Sequence, residues 1–170
     1  MDARELIQTL GLKPLPLEGG YYRETYRSAV VLSDGRPAST AIYYLLTPDT
    51  FSAMHRLKFD EIFHFYAGDA VEMLHLYPDG SHQVVLLGNN VGAGQRPQVI
   101  VPAGVWQGCR IADTTPAPFS TAAGGRVGYA LMGTTVAPGF RPEDYEHGDR
   151  HTLIARYPHC AQVIERLTEA

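Results

Sequence analysis

His55 and Glu61 stand close together in Ser52 to Gly68, a stretch rich in apolar and aromatic residues. A free imidazole titrates near pH 6.5, which suits it to removing a proton at neutral pH. A carboxylate in apolar surroundings is costly without a partner. Glu61 is therefore read as a pocket carboxylate, with a buried ion pair as the alternative. On a strand, residues two apart share a face. Ala53, His55 and Leu57 would then look inward together. Glu61, Phe63 and Phe65 share a face by the same parity, and His64 points the other way unless a bulge intervenes. By residue type alone, His55 is equally readable as a hydrogen-bonded core histidine.

The elements that must position these residues read mostly as strands. Asp2 and Glu5 have capping-box spacing, Leu6, Ile7 and Leu10 share one helical face, and Gly11 is a stop, so a helix is expected over 1–11. After Gly19-Gly20 the period becomes strand-like. The expected strands are Tyr21 to Ser28, Thr40 to Leu46, Ser52 to Leu57, Glu61 to Ala67 and Ala70 to Tyr77. His82 to Leu87 returns antiparallel across Pro78-Asp79-Gly80. Gln98 to Val101, Val105 to Ile111 and Val127 to Val136 follow, with a mobile surface loop expected over Ala112 to Gly125. The tail reads as helical again, through Leu153, Ile154 and Tyr157, then Val163, Ile164 and Leu167 beyond the Pro158 break. Eight or nine short strands with helices only at the ends predict an all-β, jelly-roll sandwich or barrel. There is no repeat or dividing linker, so one domain is expected over 1–170, its barrel over 20–136 and its C-terminal helices over 149–168.

Composition narrows the function classes. With 170 residues, 45% of them hydrophobic, the chain can bury a core. A net charge of −4 and no basic cluster argue against nucleic-acid binding. No apolar run approaches the roughly 20 residues that span a bilayer. Met1 to Glu5 lead into no apolar signal core, so a cytoplasmic protein with reduced thiols at Cys109 and Cys160 is expected. His75, His82, His147, His151 and His159 are read as surface residues whose spacing suggests no ligand set.

Two stretches carry a family resemblance. His55, Leu57, Glu61 and Gly68 occupy the positions of the first cupin motif, and Pro102-Ala103-Gly104-Val105-Trp106-Gln107 resembles the second, with Gln107 at its histidine position. The chain is similar to an uncharacterised branch of cupins labelled predicted sugar epimerases (cupin_5, DUF985-like). The likeness runs through Glu18 to Ser28, Ser39 to Leu46, the His55 stretch, Val101 to Gly108 and Val136 to Phe140. It implies a double-stranded β-helix barrel with a small-molecule pocket inside. One departure is Leu17-Glu18, where the branch has a His and a Pro ahead of the glycines; no ligand is expected at that position.

The resemblance also implies a 3-His-1-Glu metal site, of which this chain keeps His55 and Glu61. Leu57 cannot ligate, and Gln107 is a weak neutral donor. No cofactor is therefore expected; a divalent transition metal on His55, Glu61 and Gln107 is the minority alternative. Metal-free cupin epimerases imply instead a base at His55 and a proton-returning phenol, for which Tyr129 is the candidate. Glu61 would orient His55 or hold a sugar hydroxyl. Arg23 is expected to pair with an anionic group, Phe63 and Trp106 to stack on a ring, and His64 and Gln107 to complete the substrate contacts. The leading expectation is a metal-independent isomerase or epimerase of a sugar or nucleotide sugar. A non-catalytic binding protein for a polar metabolite and a metal-dependent oxygenase or isomerase are the alternatives. The expected partners are a small-molecule ligand and a second copy of the chain, the aromatic run Tyr21 to Tyr26 serving as a dimer seam.

Overall fold

The computed structural model describes residues 1–113 and 127–168, so most of the expected 112–125 loop lies outside the described residues. Helix α1 (Ala3–Leu10) is capped as the sequence predicts. Its Asp2 carboxylate accepts from the Glu5 backbone N–H at 2.9 Å, and the Glu5 carboxylate accepts from Asp2 at 2.8 Å. Gly11 closes it in the left-handed conformation, φ 61°.

Eleven strands follow among the described residues: β1 (Lys13–Pro14), β2 (Tyr21–Arg27), β3 (Thr40–Leu46), β4 (Phe51–Leu57), β5 (Glu61–Gly68), β6 (Val71–Leu76), β7 (His82–Leu87), β8 (Gln98–Val101), β9 (Trp106–Ile111), β10 (Ala130–Val136) and β11 (Tyr145–His147). They form two antiparallel sheets, ordered β1-β2-β3-β10-β5-β8 and β11-β4-β9-β6-β7. The chain passes repeatedly from one sheet to the other, as a jelly-roll barrel requires. Helices α2 (Arg150–Arg156) and α3 (Ala161–Arg166) close the chain. The fold is all-β with short terminal helices. β1 and β11 were not anticipated, because two or three residues carry too little alternation to read as a strand. They extend the sheets beyond the expected 20–136 barrel.

The core has three parts. Phe63, Phe65, Met73, Cys109 and Met132 pack between the sheets. Leu6, Leu12 and Leu45 pack beneath α1 on the outside of the six-stranded sheet. Met54, Leu74 and Leu76 pack beneath Leu153, Tyr157 and Ile164 on the outside of the other. Burying each such side chain contributes about 1.5–3 kcal/mol. Both faces of β6 are thus covered, which corrects the surface reading of His75. It is 1% exposed and shares the inward parity of Val71 and Met73. The remaining four of those histidines are exposed.

Arg36 ties the segment between β2 and β3 to the segment after β10. It makes a bidentate pair with Asp144, donates to the Gly139 carbonyl at 2.9 Å, and lies over the Phe59 ring. Both ends of the pair are buried. No helix among the described residues is long and apolar enough to cross a membrane.

Candidate functional site

A cavity of about 240 Å³ opens at one end of the barrel. Tyr22, Glu24, Arg27, Thr40 and Ile42 line one wall, His55 and Leu57 another, and Glu61, Thr134 and Val136 a third. Leu15, Glu18, Ala41, Phe140 and Pro142 complete it.

Glu18 reaches the cavity through a tight turn. Gly19 and Gly20 both have positive φ, 92° and 69°, where a side chain is strained. A Cβ on Gly19 would also stand 2.4 Å from the Phe51 carbonyl oxygen. The turn lets the Glu18 carbonyl accept from the Ala53 backbone N–H at 2.7 Å, while Ser52 Oγ donates to Glu18 Oε1 at 3.1 Å. Burial pushes the Glu18 carboxyl up to about 7, only partly opposed by hydrogen bonds from Ser52 and Tyr44.

His55 is 1% exposed. Its Nδ1 lies 2.7 Å from the Ala53 carbonyl oxygen, which can only accept, so the proton sits on Nδ1 and Nε2 carries the lone pair. Burial lowers its pKa, against the opposing pull of Glu61 and the Ala53 contact. The ring stacks on Tyr145 at 5.1 Å. Register explains the placement: His55 pairs with Gln107 on one side and His147 on the other.

Glu61 accepts from Gln107 Nε2 at 2.6 Å. Desolvation, then the neighbouring Glu18 charge, raise its pKa; His55, Thr134 and Gln107 pull it back. Gln107 Oε1 and His75 Nε2 are buried without a hydrogen-bond partner.

Only part of the expected site is therefore assembled as read. His55 and Glu61 line the cavity, and Gln107 buttresses Glu61 from behind. The others lie elsewhere, mostly by strand parity. Arg23 is exposed on the outer face of β2, over the Tyr43 ring at 5.5 Å. A register shift between Glu24 and Tyr26 brings Arg27 to the cavity in its place, where Glu24 holds it at 2.7 and 3.0 Å. Tyr129 packs with Tyr43 and Leu131 on the Leu6, Leu12 and Leu45 cluster, outside the barrel. His64 also faces outward, as its parity predicts, within 3.3 Å of Thr135 Oγ1 and of Gln98 Nε2. Trp106 lies under the C-terminal helices with Arg56 over its ring at 4.6 Å, and Phe63 is interior packing. Glu18 is the residue sequence reading missed. Its one signal was a carboxylate abutting the glycine pair, at the position read as giving no ligand.

The residues present do not fit a cupin metal centre. Leu57 is an aliphatic wall, and Gln107 turns its N–H donor, which cannot coordinate, onto the Glu61 oxygen. Among the described residues the single converging set of three His, Cys, Asp or Glu ligand atoms lies outside the barrel.

Comparison with known proteins places this geometry in a family. A solved structure of protein SO0799 from Shewanella oneidensis is 32% identical, with a TM-score of 0.87 over 99% of this chain and 98% of that one. A hypothetical protein from Leishmania major is 34% identical, with a TM-score of 0.86 and 100% of both chains covered. The uncharacterized protein YML079W of Saccharomyces cerevisiae is 31% identical over 104 residues, 53% of this chain. The chain spans about half the length of that curated relative, 52%. Bacillus subtilis oxalate decarboxylase shares the fold alone, at 13% identity and a TM-score of 0.54 over 94% of this chain and 38% of that one. The family described as cupin superfamily (DUF985) matches residues 4–148, and the chain belongs to it.

Proposed function

We propose that the chain isomerises or epimerises an uncharged, monosaccharide-sized hydroxy-carbonyl compound without a metal, with His55 as base and Glu18 as acid. The observation that supports this reading is the His55 tautomer, whose Nδ1 is tied to the backbone and whose Nε2 is left basic in a cavity that also holds the Glu18, Glu24 and Glu61 carboxyl groups. His55 Nε2 takes the proton from the carbon beside the carbonyl, and the electron pair of that bond passes into an enolate. Glu18, its carboxyl raised to about 7, supplies a proton as the enolate collapses, and proton exchange with solvent resets both groups. Glu61 holds a substrate hydroxyl. Burial keeps His55 neutral, as a base must be, and lifts the Glu18 carboxyl toward neutrality, as an acid for this step requires.

Size and charge shape the substrate. A cavity of about 240 Å³ falls below the usual 300–1,000 Å³ of drug-sized pockets. Glu18, Glu24 and Glu61 line it, and the Arg27 fork is already taken by Glu24. These features favour a neutral ketose or aldose over a nucleotide sugar. The test is incubation with neutral aldoses and ketoses in heavy water, read by NMR. Deuterium entering beside the carbonyl is expected, and His55→Gln should slow it about 100-fold or more. Binding without exchange would leave a non-catalytic binding protein; no exchange with any sugar would sink the proposal.

A further inference from the structure

Away from the barrel cavity, His82, His159 and Cys160 bring their ligand atoms within 4.8 Å of one another. His82 opens β7, and the other two lie in the 3-10 turn Pro158–Cys160 between α2 and α3. Their separation in sequence hid them from any spacing motif. The imidazoles already face each other, ring centroids 4.7 Å apart. Both rings are exposed while Cys160 is 4% exposed, so the thiol forms the floor of a site open to water.

The two segments are held in register independently of these residues. Tyr157 Oη donates to the Tyr77 carbonyl at 2.9 Å, and Arg156 Nη2 donates to the Pro78 carbonyl at 2.7 Å. These bonds dock the β6–β7 hairpin turn on the C-terminal helices. The Cys160 backbone N–H donates to the Tyr157 carbonyl at 2.9 Å, which fixes the thiol beneath the rings.

We propose that His82, His159 and Cys160 form a zinc site that clamps the β6–β7 hairpin to the C-terminal helices. Ligand atoms on tetrahedral zinc stand roughly 3.3–3.7 Å apart, given Zn–N and Zn–S bonds of about 2.0–2.1 and 2.3 Å. Side-chain rotation closes the remainder without moving the backbone. Two imidazoles and a thiolate are a borderline-soft set that selects Zn²⁺ over the hard cations. On binding, the Cys160 thiol proton leaves to solvent, the thiolate bonds the metal, and water takes the fourth position.

Co²⁺ titration of tag-free, chelator-stripped protein is the test, because a cobalt–thiolate bond has its own near-ultraviolet charge-transfer band. The unaltered chain is expected to give that band at one equivalent, Zn²⁺ to bleach it, and Zn²⁺ to raise Tm. His82→Ala and His159→Ala, both at exposed positions, should each weaken Co²⁺ and Zn²⁺ about ten-fold or more. Cys160→Ser should abolish the band. No band in the unaltered chain, or a band that survives in the His82→Ala/His159→Ala double variant, would overturn the proposal.

Discussion

Gln107 Nε2 donates to Glu61 Oε2 at 2.6 Å, across the two sheets of the barrel. The bond points a proton donor at the carboxylate from the very position where the cupin motif carries a histidine. Together with Leu57 it leaves the barrel cavity without the ligand set of a cupin metal centre. In a His82→Ala/His159→Ala background, chelator-washed protein should therefore hold no stoichiometric transition metal. Adding Leu57→His and Gln107→His should confer it, since three imidazoles and Glu61 then converge. Elemental analysis of both proteins decides the matter. A full equivalent of metal in the first would return the barrel to metal chemistry.

Glu18→Gln should change how stability depends on pH. The folded carboxyl is raised from 4.5 to about 7, so the folded state holds this proton more tightly than the unfolded state. Its contribution to stability is full below about pH 4.5, falls as pH rises to about 7, and is constant above. Glutamine cannot ionise. The variant should gain about 3 kcal/mol or slightly more relative to the parent between those limits. Urea melts across the range measure it, and parallel curves would show that Glu18 titrates normally.

Catalytic exchange should follow a bell in pH. The base limb falls below the lowered pKa of His55, and the acid limb falls above about 7, where Glu18 ionises. Glu18→Gln should remove the upper limb together with most of the rate. A profile still rising beyond pH 8 would exclude Glu18 as the acid.

Tyr129→Phe and Arg23→Ala should leave ligand binding and exchange within about two-fold of the parent, because both side chains lie on the outer face of the six-stranded sheet. A loss of about 100-fold in Tyr129→Phe would reinstate the phenol as the proton donor. Steady-state rates on whichever sugar exchanges give the answer.

Arg36→Met should cost about 3–5 kcal/mol, because it strands the buried Asp144 carboxylate. Removing both charges, as Arg36→Met/Asp144→Leu, should restore most of that stability. Thermal melts of the two variants separate a true ion-pair effect from lost packing. Equal destabilisation in both would mean that packing around the guanidinium dominates.

The sequence by itself determined the strand content, the capped first helix, the inward face of β5 and the inward placement of His55 and Leu57, whereas a register shift in β4 turned Ser52 inward where Ala53 was expected. Alternation with period two and a capping box are local signals, and local backbone geometry obeys them. The same parity sufficed to place His55 and Glu61 inside and His64 outside. Tertiary structure alone decided the rest. A single-residue register shift in β2 turned Arg27 into the cavity while Arg23, ahead of it, stayed on the outer face, and nothing in the alternation of the strand announces such a bulge. The facing sheet buried His75, and the C-terminal helices partly covered Trp106, where alternation alone implies a face for solvent. Glu18 entered the cavity through a positive-φ glycine turn. His159 and Cys160 met His82 because the β6–β7 turn docks on the C-terminal helices. Such meetings are set by long-range packing, which places residues side by side whatever their separation along the chain.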